Sequence, residues 1–396
     1  MNAGLDFQIA LTQTLLRSIN ELQGSDNYDR ARFGPERFGR SRALLQRIFR
    51  LLNLLLERGG YRIAASDAAA ARYDEIARHI EGLSCLYGML ADAYSRRALV
   101  EVIAYRILGR RRMKLWTNTA DYWKTRAIAS SIPTHGKKLD TGIADIRLSL
   151  TDLRRVGYEV TLYTHPLAVT HQFLLNHYAY ERATPPVRVV KDDYVIDAGA
   201  AWGDTALRFA LEVGETGRVY SFEVEPRNID ILKRNLALNS HLSPRVSIVE
   251  KALWSSSGAT LSFSPCGPGT RVSDLAKDRE EMKVLSVSID DFARLLPRVD
   301  FIKMDIEGAE PQALKGAEQT LRRHRPKMAI SLYHNVSDFV DIPAYLASLD
   351  IDCNYYLDHG SISGEETVLY VVPKKASGVT VSVRQAASLT HGVTGL

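Results

Sequence analysis

The chain has 396 residues, a length that favours two domains over one. Hydrophobic residues make up 45% and charged residues 24%, which is ordinary for a globular protein. The net charge of +5 is too small to indicate a nucleic-acid or membrane surface as partner. No apolar run reaches the roughly 18 residues that a membrane-spanning helix needs.

The cysteines are scattered and odd in number, at Cys85, Cys266 and Cys353. This set indicates neither a disulfide framework nor a zinc site, and it fits a reducing compartment. Residues 1–20 lack the charged start, apolar core and cleavage pattern of a secretory signal. We therefore expect a cytoplasmic protein without a membrane span or a nucleic-acid partner.

Residues 1–130 are predicted to be mostly helical. Apolar residues recur at helical spacing in the segments 43–56, 66–80 and 83–108, and the polar stretch 24–42 is predicted as a loop. We interpret 1–130 as an N-terminal helical domain that binds the substrate or builds a homo-oligomer.

A basic run closes the last of these helical segments, with aromatic residues close behind it. Cations at a helix C-terminus interact favourably with the helix dipole, so the run is interpreted mainly as a solvated helix end. The alternative is a site that grips an acidic or sugar substrate. The basic residues are Arg106, Arg110, Arg111, Arg112 and Lys114.

Residues 131–186 are predicted to be a connector, with strand character at 158–163 and a helix over 167–180. Three histidines recur there at intervals of six residues, namely His165, His171 and His177. That spacing does not align side chains on one helix face. The histidines are therefore predicted to be surface or capping residues and not a metal cluster.

From residue 187 onward, apolar strands alternate with helices, which is typical of an α/β fold with a parallel sheet. The last two strands flank a Gly/Ser turn and are predicted to form an antiparallel hairpin at the sheet edge. This domain is predicted over 187–376, followed by a tail over 377–396. The predicted strands are 194–197, 219–223, 246–251, 301–305, 327–333, 353–357 and 367–372, and the predicted helices are 227–239 and 311–323.

The stretch 195–205 passes from an apolar strand through Gly199 and Gly203 into residues that can begin a helix. Glycines let a ligand approach the backbone closely, and a strand end beside a helix N-terminus is the usual ligand crevice of an open α/β sheet. Glu223 ends the next strand, at a spacing that suits the two ribose hydroxyls of a nucleoside.

The dinucleotide pattern Gly-x-Gly-x-x-Gly is broken in this stretch, because its glycine positions hold Gly199, Ala201 and Asp204. An acid would then stand at the helix N-terminus where the pyrophosphate should bind, and the two negative charges would repel each other. A nucleoside without phosphates fits better, and S-adenosylmethionine (SAM) is the common ligand of that kind.

Three acids and one lysine lie in and directly after the strand at 301–305, namely Lys303, Asp305, Glu307 and Glu310. Such clustered carboxylates repel one another unless a cation or hydrogen bonds compensate. They could hold a divalent metal, supply a general base or, for Glu307 and Glu310, favour the first turn of a helix. His334 ends the next strand and could be a general base, a metal ligand or a structural histidine.

The segment 267–271, Gly-Pro-Gly-Thr-Arg, lies in the long connection between the third and fourth strands. Its glycines and proline are typical of a turn. We predict an ordered surface loop that borders the substrate, with Arg271 available for an anionic group.

Four segments together resemble the FkbM-type SAM-dependent methyltransferases, namely 195–205, 220–226, 301–310 and 330–334. The resemblance spans 187–373. It implies a Rossmann-like class I methyltransferase sheet of seven strands, of which the last is antiparallel. It also implies O-methylation of a hydroxyl on a sugar, glycan or natural product.

The same resemblance implies a cofactor site around the glycine turn. Asp197, Gly199 and Gly203 would frame the methionine part of SAM. Many members of the family have smaller or amide residues where this chain has Ala200-Ala201-Trp202. The cofactor-binding residues predicted in this turn are Asp197, Gly199, Ala200, Trp202 and Gly203.

The resemblance also implies contacts on later strands. Glu223 would bind the ribose, and Lys251 and Ala252 would lie beside the adenine. Asp305 would lie near the reacting methyl group.

We therefore predict a SAM-dependent O-methyltransferase with a small-molecule or glycan acceptor. The sulfonium methyl is already electrophilic, so the protein mainly aligns the reactants, while a base or a metal must help remove the hydroxyl proton. His334 and Asp305 are the predicted base candidates, and Lys303 belongs to the same catalytic set. Mg²⁺ is a further candidate, with Asp305, Glu307 and Glu310 as its ligands.

Two other functions remain open at this point. A nicotinamide-dependent oxidoreductase is disfavoured by the broken glycine pattern. A non-catalytic binding module on the same fold is disfavoured by the retained acids Glu223 and Asp305, although a fold alone does not decide function.

Overall fold

The computed structural model of the protein describes residues 3–20, 68–110, 112–143, 146–273 and 282–374. The predicted helix at 43–56, the predicted loop at 24–42 and the predicted tail at 377–396 lie outside these ranges. Within them, no helix combines the length and the apolar character needed to cross a membrane.

Helices precede a small antiparallel sheet in the first part of the described chain. The helices are α1 (Ala3–Asn20), α2 (Ala68–Ala77), α3 (Ile80–Met89), α4 (Ala93–Leu108) and α5 (Ala120–Ser131), and the strands are β1 (Thr134–Asp140), β2 (Arg147–Asp152) and β3 (Thr161–Thr164). Strand β2 pairs with both β1 and β3.

The helix predicted over 83–108 is divided in two. Leu90 forms a β-bridge with Tyr355, whose carbonyl accepts a hydrogen bond of 2.8 Å from the Ala91 N–H. Asp92 then caps α4 by accepting a hydrogen bond of 2.7 Å from the Ser95 N–H. The break therefore comes from pairing with a strand far along the chain, which local periodicity does not reveal.

The helix predicted over 167–180 is also shorter than expected. A short helix, Pro166–Ala168, continues as a π-helix over Val169–Leu174 and ends there. Tyr180 instead exchanges two backbone hydrogen bonds with Val187, and this extended pairing leads the chain towards the central sheet.

The remaining elements build two further sheets and their helices. The strands are β4 (Tyr194–Ala198), β5 (Arg218–Phe222), β6 (Val246–Val249), β7 (Ala252–Leu253), β8 (Thr260–Ser264), β9 (Arg271–Ser273), β10 (Met282–Val287), β11 (Phe301–Met304), β12 (Lys327–Ser331), β13 (Cys353–His359) and β14 (Thr367–Pro373). The helices are α6 (Asp204–Val213), α7 (Pro226–Ala237), α8 (Ile289–Ala293), α9 (Glu310–Lys315), α10 (Glu318–His324) and α11 (Asp338–Ser348).

The central sheet has seven strands in the order β13-β14-β12-β11-β4-β5-β6. Strands β4, β5, β6, β11 and β12 run parallel to one another, whereas β14 pairs antiparallel with both β12 and β13. The last strand is thus antiparallel, as predicted. The first and fourth predicted strands, β4 and β11, are neighbours, so their carboxyl ends open onto the same crevice.

The connection between β6 and β11 contains a further sheet, the third of the described residues, which the sequence did not predict. Its order is β7-β10-β8-β9. The helix predicted over 311–323 is likewise interrupted, at Gly316. A Cβ at Gly316 would lie 2.1 Å from the carbonyl oxygen of Trp254, so the close approach of this sheet's first turn divides α9 from α10.

The N-terminal helices pack directly against the central sheet. Helix α4 contacts β13, and α3 contacts α11. Phe7 and Leu99 on these helices share one buried hydrophobic core with Ile196 and Ile302 on the sheet. The helical part of the chain therefore packs against the edge strand β13 of the central sheet, while its status as a separate domain remains a prediction.

Candidate active site

The glycine turn after β4 is shaped by contact with the segment after β11. Gly199 has a φ of +84°, and a Cβ there would lie 1.9 Å from the carbonyl oxygen of Asp305. Gly203 has a φ of +87° and precedes the first residue of α6. Because L side chains rarely adopt such angles, both glycines are needed for the turn to close onto the neighbouring strand.

A buried ion pair lies beneath this turn. The Lys303 ammonium donates hydrogen bonds to the carbonyls of Ala198 (3.0 Å) and Gly199 (2.6 Å), and it lies 3.3 Å from the Asp197 carboxylate. Asp197 also accepts hydrogen bonds from the hydroxyls of Thr205 and Ser221. Asp197 and Lys303 thus support the backbone of the turn, and the catalytic role predicted for Lys303 finds no contact with the pocket among the described residues.

A pocket opens at the carboxyl ends of β4, β5 and β11. Four of the predicted cofactor residues line it, namely Gly199, Glu223, Lys251 and Ala252. The rest of the wall comes from Ala201, Phe222, Val224, Leu253, Gly267, Pro268, Thr270, Val272, Asp305, Ile306, Glu307 and Ala309.

Within the turn, Ala201 lines the pocket beside Gly199, whereas the predicted Ala200 and Trp202 do not. Ala200 is buried in the hydrophobic core, and Trp202 packs with Leu148 and Ile231. Ala201 has a φ of +43°, an unusual conformation for a residue with a side chain. The small side chain lets the turn border the pocket directly.

Glu223, which follows β5, is a buried acid at one end of the pocket. Its side chain is buried, and one carboxylate oxygen accepts hydrogen bonds from the N–H groups of Val224 (2.8 Å) and Glu225 (2.9 Å). Burial raises the pKa of Glu223 to about 7, against the opposite effect of the amide hydrogen bonds. Hydroxyl donors from a ligand would favour the ionised form of such a carboxyl group.

The predicted loop over 267–271 also borders the pocket. Gly267–Gly269 form a single 3₁₀ turn, and β9 follows it. Arg271 is largely exposed, with its side chain 64% accessible, and it lies 3.9 Å from the Glu307 carboxylate. The loop prediction therefore agrees with the structure, and the anion-binding role of Arg271 stays a prediction.

Asp305 is the centre of a buried polar cluster at the other end of the pocket. Its carboxylate accepts hydrogen bonds from the hydroxyls of Tyr178 (2.8 Å) and Tyr333 (2.9 Å), and it lies 3.3 Å from Nε2 of His334. Burial acts to raise the pKa of Asp305, but the contact with His334 and the charges of His334 and Lys303 outweigh it and bring the pKa to about 2.

His334 lies between three carboxylates. Its Nε2 is 3.3 Å from Asp305 and 3.5 Å from Glu307, and its Nδ1 is 3.2 Å from Glu310; these are ion-pair distances without hydrogen-bond geometry. Burial alone would lower the pKa of His334, but these acids raise it to about 11. The ring is therefore a cation at neutral pH, and the predicted role of His334 as a base does not fit this geometry.

Glu310 holds the turn after β11. Its buried carboxylate accepts hydrogen bonds from the N–H groups of Ile306 (2.7 Å) and Gly308 (2.9 Å), on either side of Glu307. Glu307 has a φ of +58°. The interpretation of Glu310 as an acid of a helix first turn is thus the one that the structure supports, since Glu310 is the first residue of α9.

The metal site predicted from Asp305, Glu307 and Glu310 is not assembled, because Glu310 is turned towards backbone amides. Asp305, Glu307 and His334 do offer ligand atoms within 4.8 Å of one another. A protonated imidazole has no lone pair for a metal, however, and it already supplies the positive charge that the acids need. These residues do not fit Mg²⁺ well.

Residues 197–357, which hold both ends of this pocket, match the methyltransferase FkbM domain. The family model thus identifies an FkbM methyltransferase domain in this part of the chain. A curated relative, the methyltransferase sdnD of Sordaria araneosa, is 28% identical over 179 residues, which are 37% of this chain and 67% of that protein.

The solved structures that this chain resembles are less similar to it in sequence. An FkbM methyltransferase from Methylobacillus flagellatus KT is 19% identical, covers 81% of this chain and 70% of its own, and has a TM-score of 0.48. Fibrillarin from Aeropyrum pernix, crystallised with natively bound SAM, is 13% identical, covers 60% of this chain and 100% of its own, and has a TM-score of 0.32.

Segments outside the matched FkbM domain complete the polar cluster. Tyr178 comes from the connector, and it was not predicted because the turn that carries it follows a π-helix. Burial raises the pKa of Tyr178 and Tyr333 well above 10, so both hydroxyls stay protonated and donate to Asp305.

The connector histidines also differ from the prediction. His165 does cap a helix, accepting a hydrogen bond of 3.3 Å from the Leu167 N–H. His171 and His177 are buried rather than exposed, and Nε2 of His177 lies 3.1 Å from the Glu366 carboxylate. The π-helix changes the direction of the chain, so that two histidines without a common helix face approach the same acid.

Arg106 corrects the interpretation of the basic run. Its guanidinium is buried beneath the FkbM domain, where it donates hydrogen bonds to the carbonyls of Tyr333 (2.6 Å) and Gly364 (3.3 Å). Arg112 and Lys114 are exposed, as a solvated helix end would be. The N-terminal helices therefore hold the segment that presents Tyr333 to Asp305.

Proposed function

We propose that this protein is a SAM-dependent O-methyltransferase that acts on a hydroxyl group of a sugar, glycan or natural product. The observation that carries the proposal is one pocket with two different ends. The first end joins the glycine turn to the buried acid Glu223, and the second end presents the carboxylates of Asp305 and Glu307.

The first end, which we call the donor end, suits a nucleoside. Glu223 offers a carboxylate to the ribose hydroxyls, and Lys251 and Ala252 line the wall where an adenine would lie. The backbone at Gly199 can approach the methionine part because no Cβ intervenes. Asp197, Ala200, Trp202 and Gly203 would act indirectly, by supporting the turn.

Bound there, SAM supplies a methyl group that is already activated for attack. The chain must then remove the proton of a hydroxyl, which is a poor nucleophile at neutral pH. His334 is protonated, and Asp305 is a weak base whose pKa is about 2.

Glu307 fits the task of proton acceptor better. It lines the pocket, its side chain is 21% accessible, and no hydrogen-bond donor reaches it within the described residues. Burial raises the pKa of Glu307 to about 7, against the attraction of His334, and a general base works best when its pKa is near the working pH. Asp305 and His334 then act as the fixed charges that hold the acceptor end in shape.

A hydroxyl-rich acceptor matches the polar groups at this end. Asp305 and Glu307 line this end with carboxylates, which accept hydrogen bonds readily from sugar hydroxyls. Asp204 lies at the start of α6, where a pyrophosphate would need a positive environment, so the nicotinamide alternative has no support from this arrangement.

The test is calorimetric titration with S-adenosylhomocysteine, with and without Mg²⁺, followed by transfer of labelled methyl from SAM to a panel of glycosides and macrolides. We expect micromolar binding that does not change with Mg²⁺, and label in ether linkages that resist alkaline hydrolysis. Absence of binding under both conditions would overturn the SAM proposal and favour a non-catalytic module.

A further inference from the structure

One segment of the pocket wall donates several hydrogen bonds to one buried acid. The wall segment, residues 266–272, contributes Gly267, Pro268, Thr270 and Val272 to the pocket. It follows β8 and leads into β9. Its position relative to Glu223 therefore decides how wide the donor end of the pocket is.

The acid is Glu225, whose side chain is only 2% exposed. One of its carboxylate oxygens accepts hydrogen bonds from the N–H groups of Cys266 (3.2 Å) and Gly267 (2.6 Å), and from the hydroxyl of Thr270. The same Thr270 hydroxyl accepts a hydrogen bond of 2.8 Å from the Cys266 N–H. Three donors of the wall segment thus converge on one charged acceptor, and hydrogen bonds to a charged group are the stronger kind.

Glu223 and Glu225 both follow β5, but their carboxylates contact different parts of the structure. Glu223 faces the pocket and accepts the N–H of Glu225 itself at 2.9 Å, while the carboxylate of Glu225 reaches the wall segment. The two acids form one continuous connection from the ribose end of the pocket to the wall segment. A displacement of Glu225 would therefore move the wall relative to the ribose acid.

The other face of the wall segment is closely packed. A Cβ at Gly267, whose φ is +62°, would lie 1.8 Å from Cδ1 of Ile143 in the connection between β1 and β2. The connector thus presses on the wall segment from one side while Glu225 holds it from the other. This arrangement leaves the segment little room to shift without losing one of the two contacts.

We propose that Glu225 is a positioning residue for the donor: it sets the wall segment at the distance at which Gly267, Pro268 and Thr270 contact the nucleoside. The inference rests on the proposed use of the pocket for SAM. All three donors bind the same oxygen, and the oxygen of an amide is a weaker acceptor than that of a carboxylate, so Glu225→Gln weakens the hold on the wall segment.

The test is calorimetric titration of the full chain with S-adenosylhomocysteine and, separately, with adenosine. The variants are Glu225→Gln, Thr270→Val and the double variant, with Glu250→Gln as matched control, because Glu250 is an exposed acid that follows β6 and pairs with Lys233. We expect Glu225→Gln to raise Kd about 10-fold or more, a factor worth about 1.4 kcal/mol. Thr270→Val should raise Kd about 3-fold, and Glu250→Gln should leave it within about 2-fold.

The double variant separates positioning from loss of folding. If Glu225 acts through the Thr270 hydroxyl, the double variant binds no more weakly than Glu225→Gln, and the same factors appear with adenosine. A folding defect in Glu225→Gln would instead lower the fraction of protein that binds, without a change in Kd. In that case the Kd of Thr270→Val, which keeps the shape of the side chain, decides the question.

The outcomes overturn different statements. Failure of the unmutated protein to bind either ligand would overturn the SAM proposal, and the inference with it. The role of Glu225 alone would be overturned if the unmutated protein bound normally and the Kd of Glu225→Gln were within about 2-fold of its value. Strictly additive effects of the two substitutions would also overturn it.

Discussion

The two ends of the pocket neutralise their acids in different ways. At the donor end, Glu223 and Glu225 accept hydrogen bonds from neutral groups, namely backbone N–H groups and the Thr270 hydroxyl. The reacting end is the end that presents Asp305 and Glu307 to the acceptor. There, Asp305 is surrounded by two tyrosine hydroxyls and a histidine cation that come from other parts of the chain. The donor end thus holds its acids with neutral hydrogen-bond donors, whereas the reacting end adds a cation.

This difference has a consequence for charge. Burial raises the pKa of Glu223 to about 7 against its amide hydrogen bonds, and a bound ligand can still change this pKa. The imidazolium of His334 keeps Asp305 ionised at any ordinary pH and is itself retained by its acids. The donor end is therefore built to respond to a ligand, while the reacting end holds a fixed pattern of charge with Glu307 as its titrating member.

The largest effect is expected from Gly199→Ala at the donor end. The added Cβ would lie 1.9 Å from the carbonyl oxygen of Asp305, at a φ of +84°. We expect affinity for S-adenosylhomocysteine to fall by more than about 100-fold in calorimetry, because the turn must move away from the pocket. Gly258→Ala is the matched control, since Gly258 has a φ of +83° with nothing within 4 Å of a Cβ.

The control variant should lose about 1 kcal/mol of stability and bind normally. If Gly199→Ala bound as well as Gly258→Ala, the close approach of the two strand ends would not matter for the donor.

The next effect concerns Glu307→Gln at the reacting end. With any acceptor that the transfer assay returns, we expect methyl transfer to fall about 100-fold or more while S-adenosylhomocysteine affinity stays within about 3-fold. The rate of the unmutated enzyme should rise with pH and level off above about 7, because the carboxyl group must lose its proton first. Exposed Glu318→Gln serves as control.

An unchanged pH profile in Glu307→Gln would exclude Glu307 as the base. A parallel loss of donor binding would show instead that the two ends of the pocket are not independent.

A smaller effect is expected on stability. The pKa of His334 is raised from 6.5 to about 11 in the folded chain, so its stabilising contribution is complete below about pH 6.5 and is lost as pH rises towards 11. The free energy of unfolding should fall over this interval by up to about 1.4 kcal/mol per pH unit. His334→Gln should remove this slope in denaturant titrations, and exposed His241→Gln should keep it.

Prediction from sequence succeeded where the position of a side chain follows directly from a strand end. Glu223 and Asp305 each come directly after an apolar run, and parallel neighbouring strands bring such residues to one crevice. The antiparallel last strand and the border loop at 267–271 were also predicted correctly. In these cases the signal and the structure lie within a few residues of each other.

The sequence was less informative where contacts are distant along the chain. Arg106 sits in a basic run that is typical of a solvated surface, yet it is buried against Tyr333. Tyr178 follows a π-helix, which hydrophobic periodicity does not predict. Glu310 and Glu307 are three residues apart, and only the turn between them decides which one faces the pocket.

The most direct test of the charge pattern at the reacting end is nuclear magnetic resonance of the protein labelled with ¹⁵N-histidine, with His334→Gln to assign the signal. The structure predicts that both nitrogens of His334 remain protonated throughout a titration from pH 6 to about 9, because its pKa is about 11. A neutral ring at pH 7.5, with an ordinary midpoint near 6.5, would contradict the account and return His334 to consideration as the base.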